Sequence, residues 1–143
     1  MKEITTKFGK ICIAKVHLTK ENVELLINIC GENCQIVKAD CPEEVTFATL
    51  LALKAFIQGR NKARTVKGEI LLRLAGVRQI REAINLVGAR EGENFIVTFG
   101  TEDPCKLLAE ILSKIGVVEV TLNECDKEIV KKSFERIAMT ETL

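Results

Sequence analysis

The sequence predicts a single α/β domain over residues 1–143, a sandwich of about six helices packed on a mixed sheet of about four strands. Three observations carry that reading. Short apolar or alternating segments with the twofold period of strands are interspersed with longer segments whose apolar residues recur at three and four positions. Proline and glycine punctuate the helical segments, as at Pro42 and Gly59 or Pro104 and Gly116. No Gly/Ser linker, internal repeat or low-complexity stretch divides the chain. With 47% hydrophobic and 29% charged residues, the composition is that of a globular protein.

The elements follow in order. Ile11 to Leu18 is β-rich and mostly apolar, which predicts a buried strand. Lys20 to Cys30 switches to helical period: Val23, Leu26, Ile27 and Cys30 form one stripe, Thr19 can cap the start and Gly31 can end it. Cys34 to Ala39 reads as a second strand. Cys41-Pro42-Glu43-Glu44 opens a helix reaching Gln58, with proline where its missing N–H costs nothing and two acids at the positive end of the dipole. This helix is apolar almost all round (Val45, Phe47, Leu50, Leu51, Leu53, Phe56), so it belongs in the middle of the structure.

Gly59 ends that helix, and Arg60 to Arg64 forms an exposed connection. Val66 to Ala75 is a helix closed by Gly76, and Val77 to Val87 another closed by Gly88. The second splits into Ile80, Ala83, Ile84 and Val87 on one face and Arg78, Arg81, Glu82 and Asn85 on the other. Asn94 to Phe99 alternates as a strand. Asp103-Pro104 opens a helix striped by Leu107, Leu108, Ile111, Leu112 and Ile115, and Val117 to Leu122 alternates as a last strand. A final helix from about Asp126 to Met139 carries Val130, Phe134 and Ile137 on one side.

Charge is the most informative feature. Six of the seven arginines fall between Arg60 and Arg90. Residues 54–90 hold nine cations against Glu69 and Glu82, a local +7 in a chain of net +1, so the remainder carries −6. A solvated helical face would show such charges too, but arginine favours phosphate, because its planar fork pairs two oxygens and stacks on bases. The i,i+4 spacings predict internal pairs from Glu69 to Arg73 and from Arg78 to Glu82, worth about 0.3–0.5 kcal/mol each. Aromatic stacking is scarce: there is no Trp, no Tyr and six Phe. Base contacts would fall to arginine planes, backbone, apolar side chains, or Asn61, Gln79 and Asn85.

Six cysteines show no Cys-x-x-Cys spacing and the sole histidine is His17, so the sequence predicts free buried thiols in a reducing compartment and no metal site. No apolar run is long enough to span a bilayer and Met1-Lys2-Glu3-Ile4 lacks a signal-peptide core, so a cytoplasmic protein without a membrane partner is expected. No glycine-rich phosphate loop or Gly-x-Ser-x-Gly elbow is present, and no catalytic residue or cofactor is expected.

The run from Leu50 through Gln58-Gly59-Arg60-Asn61-Lys62-Ala63-Arg64, then Glu69-Ile70-Leu71-Leu72-Arg73-Leu74 and Gly76-Val77-Arg78-Gln79-Ile80-Arg81-Glu82-Ala83-Ile84, resembles the small kinase-binding subunit of the KEOPS (EKC) complex, the p53-related-kinase-binding protein family. The resemblance implies a non-catalytic subunit that binds and activates a small atypical kinase/ATPase. It also implies recruitment of tRNA by its single-stranded 3′ CCA end for threonylcarbamoyl-adenosine synthesis. Carried over, it points to Arg60, Asn61, Lys62, Arg64, Arg73, Arg78, Gln79 and Arg81 as the RNA surface, and to Ile129, Phe134 and Ile137 as kinase-docking residues. An interaction adaptor without RNA binding, and a small enzyme acting on a phosphorylated metabolite, remain as alternatives from the residues themselves.

Overall fold

The computed structural model describes all 143 residues. Its elements run β1 (Lys2–Thr6), β2 (Gly9–Leu18), α1 (Lys20–Cys30), β3 (Cys34–Val37), α2 (Pro42–Ile57), α3 (Val66–Ala75), α4 (Ile80–Val87), β4 (Gly92–Phe99), α5 (Pro104–Ile115), β5 (Glu119–Val120) and α6 (Lys127–Ala138), closed by a 3-10 turn over Met139–Thr142. The expected sandwich of helices on a sheet is present.

The sheet order is β1-β2-β4-β3, with β5 also pairing β2, and every pairing is antiparallel. Interspersed strands and helices suggested a mixed sheet because β2-α1-β3 has the form of a parallel crossover. The two strands do run in the same direction, but β4 lies between them and pairs antiparallel with both. β1, missing from the sequence reading, is an exposed edge strand with one inward apolar residue, Ile4, and so shows almost no hydrophobic pattern. The final strand, expected over Val117–Leu122, shrinks to two residues beside Lys15 and Val16.

Alternation along the central strands sends side chains to two cores. Ile11, Ile13, Val37, Phe95, Val97 and Phe99 face α2, α3, α4 and α6. Cys12, Ala14, Val16, Cys34, Ile36 and Ile96 face α1 and α5. As its composition requires, α2 is surrounded, with Val45, Ala48, Leu51, Ala52 and Ala55 buried.

The cysteines depart from expectation. All six are paired, Cys12–Cys105, Cys30–Cys34 and Cys41–Cys125, leaving no free thiol. The first joins β2 to the first turn of α5 across the second core, the second closes the turn after α1, and the third joins the cap of α2 to the segment entering α6. These meetings are long-range for two of the three pairs, with separations of 93 and 84 residues, so local spacing could not reveal them. The reducing compartment inferred from free thiols loses its basis. No helix is long and apolar enough to cross a membrane.

Candidate nucleic-acid interface

The basic segment is shaped by two short helices whose starts converge. Thr65 caps α3, its hydroxyl accepting from Gly68 N at 3.1 Å, which is worth about 1 kcal/mol to the helix. A Cβ on Gly68 would stand 3.1 Å from Thr65 Oγ1, 3.3 Å from Ala63 Cβ and 3.3 Å from Ile80 Cδ1. A side chain there would be tight against all three neighbours, so the connection 60–65 and the first turn of α4 come together at this residue. The far end of α4 is fixed to the sheet edge: Lys38 N donates to Val87 O at 2.8 Å, and Gly88 bridges Val37.

Arg60, Lys62, Arg64, Arg78 and Arg81 are all exposed, and none lies in an ion pair. The expected Arg78–Glu82 pair does not form, because α4 begins at Ile80 and Arg78 lies in the turn before it. Gln79 is the exposed cap residue of α4 but makes no side-chain capping bond, so the first-turn amides keep their positive end uncovered by it. Asn61 directs its Nδ2 to Ala63 O at 2.9 Å and so helps shape the connection. Lys67 turns back to donate to Gly31 O at 2.8 Å, and burial holds its pKa below the ordinary range despite the opposing pull of Glu32. It is less a surface cation than the sequence implied.

Arg73 is a correction. It is fully buried, with Nε 2.8 Å from Glu69 Oε2 and Nη1 2.9 Å from Glu141 Oε1. It cannot belong to an RNA surface. The i,i+4 pair with Glu69 was legible in the sequence; its burial was not, because every neighbour from Glu69 to Leu74 is buried and the last turns of α3 have no outward side. α4 shows the reverse error: of the apolar face expected to pack, Ala83 is buried while Ile80 and Ile84 are 38% and 50% exposed. Amphipathic spacing alone does not reveal that these apolar side chains stand in water among the arginines.

The proposed docking residues divide as well. Ile129 is half exposed and Phe134 half-buried, its ring 4.4 Å from that of Phe47. Ile137 is fully buried in the core beneath α6, which corrects its assignment to a docking surface. Phe134 also lines a cleft of about 400 Å³ with Ile4, Ile13, Phe47, Leu50 and Leu122, an apolar recess that sequence reading missed because it is assembled from five distant segments.

Residues 38–137 match the family model described as kinase binding protein CGI-121. The chain is 58% identical over its full 143 residues to the KEOPS complex subunit Cgi121 of Pyrococcus abyssi, covering 84% of that protein. It is 30% identical over 108 residues to the regulatory protein Cgi121 of Methanocaldococcus jannaschii, a match spanning 73% of this chain and 72% of the relative.

Proposed function

The chain belongs to the CGI-121 kinase-binding protein family, and from that premise we propose that it is a non-catalytic subunit of the KEOPS complex that synthesises threonylcarbamoyl-adenosine in tRNA. In this reading it binds and activates the small atypical kinase/ATPase of that complex and receives the single-stranded 3′ CCA end of tRNA. The observation that carries the RNA half is the set of five exposed, unpaired cations around the Gly68 convergence. Phosphates would meet Arg60, Lys62, Arg64, Arg78 and Arg81, with Asn61 and Gln79 alongside. Exposed Ile80 and Ile84 offer apolar contact to unstacked bases, which fits a ligand bound without aromatic platforms.

Kinase docking falls to the outer face of α6, with Ile129 exposed and Phe134 at the edge of the apolar cleft. Ile137 supports that helix from within.

Titration of the isolated protein with tRNA, with and without its last three nucleotides, tests the RNA half. Four phosphate contacts on a single strand predict a log–log salt slope near −3, from about −0.7 per contact. Joint charge reversal at Arg60, Arg64 and Arg81 should abolish retention with the fold intact. Unchanged binding removes this surface from the proposal. Failure of the intact protein to bind either tRNA leaves the adaptor reading, in which the arginines meet acids of a protein partner.

A further inference from the structure

A line of polar contacts crosses the molecule from the C-terminal turn to the basic connection. At one end, Thr140 and Glu141 lie in the 3-10 turn that follows α6. Arg73 Nη1 donates to Thr140 Oγ1 at 3.3 Å and meets Glu141 Oε1 at 2.9 Å. Arg73 Nε donates to Glu69 Oε2 at 2.8 Å. The other oxygen of the same carboxylate accepts from Lys62 N and Ala63 N, both at 2.7 Å. Glu69, Arg73 and Thr140 are each buried to within 2% of completeness, so these bonds are little weakened by water.

Each link depends on the next. Glu69 is the acceptor that folds the connection back on α3, fixing where Lys62 and its neighbours Arg60 and Arg64 project. A lone carboxylate at 0% exposure would be costly, and Arg73 compensates it. Arg73 in turn has one nitrogen, Nη2, without a protein partner, and leans on the C-terminal turn for its second charge contact. The turn is the one link at the surface, Glu141 having a side chain 38% exposed.

We infer that Glu69 and Arg73 are positioning residues through which the C-terminal turn sets the affinity of the basic connection for single-stranded RNA. The inference rests on the proposed RNA face and adds its regulation. Ordering of the turn by a partner seated on α6 strengthens RNA binding. By linkage, RNA strengthens the hold of that partner by the same factor.

The experiment compares the full chain with Glu141→Ala and Thr140→Val, reading amide hydrogen exchange at Lys62 and Ala63 and the affinity for a tRNA transcript ending in CCA. Exchange at both amides should quicken, and tRNA affinity should fall roughly 5-fold, the lower range of ordinary site-to-site coupling. The salt slope should not change, because no phosphate-binding cation is lost; Arg64→Glu, by contrast, should flatten it. Glu69→Gln serves as a harsher variant, and failure of it or of the buried Thr140→Val to fold leaves Glu141→Ala, at the exposed end of the relay, to decide. Unchanged exchange at Lys62 and Ala63, or quickened exchange with undiminished tRNA affinity, overturns the inference. Quickened exchange in a protein that never bound tRNA upholds the relay and sinks the RNA reading instead.

Discussion

Arg64 and Arg73 belong to one run of positive charge and meet opposite fates. Arg64 projects into water from the connection before α3, with no carboxylate partner. Arg73 lies in the core between Glu69 and Glu141. Residue type and charge density are the same; what differs is the covering of the backbone that carries them. α3 is packed on by α2, α4, α6 and β3, so its last turns have only inward directions to offer. A charge placed there must be compensated within the fold, whereas one on the connection is left available for a ligand.

The largest effect that tests this contrast is on stability. Arg73→Met should cost about 3–5 kcal/mol in urea unfolding, because it strands a buried carboxylate. A loss below about 1 kcal/mol would mean that Glu69 is hydrated and the contrast false. Replacing both partners, Glu69→Leu with Arg73→Met, should not restore the full stability, since the buried Ala63 amide loses its acceptor at about 1–3 kcal/mol. Full restoration would reduce the pair to a dispensable bolt.

Next in size is the tether of α6. Loss of the Cys41–Cys125 bond by Cys125→Ser should cost about 2–4 kcal/mol, with exchange in α6 rising before that of the sheet. Gly68→Val should follow at about 1–3 kcal/mol, since its methyls would push the connection from Ile80. That variant should also weaken tRNA binding, because it separates the two clusters of cations. Smallest on stability are the exposed arginines: Arg64→Glu and Arg81→Glu should each move unfolding by no more than about 0.5 kcal/mol while weakening tRNA binding. A large loss of stability from either would place it with Arg73.

The helices were legible because their signals are local. Thr19, Pro42 and Asp103, with the glycines that stop α1, α3 and α5, bound elements whose ends match the sequence reading closely. What failed to show depends on meetings across the chain. Thr140 reaches Arg73 over 67 positions, and no pattern within α3 announces it. The outward turn of Ile80 and Ile84 was hidden for the same reason, since amphipathic spacing specifies a face and not what covers it. Arg60, Lys62 and Arg64 were placed correctly on the surface because connections run over it, and Arg81 because it lies on the polar face of α4. Ile137 and Phe134 share one stripe of α6, but the depth to which each sinks is decided by α2 beneath them.

The position of β4 bears on how the molecule is made. It is the strand that unites β2 with β3, yet it begins only at Gly92, after three further helices. A ribosome therefore releases β2 and β3 long before the segment that zips them together, and both wait with unpaired backbone along their facing edges. Nascent chains arrested short of Gly92 should recruit holding chaperones or self-associate, and those extended past Phe99 should become protease-resistant in one step.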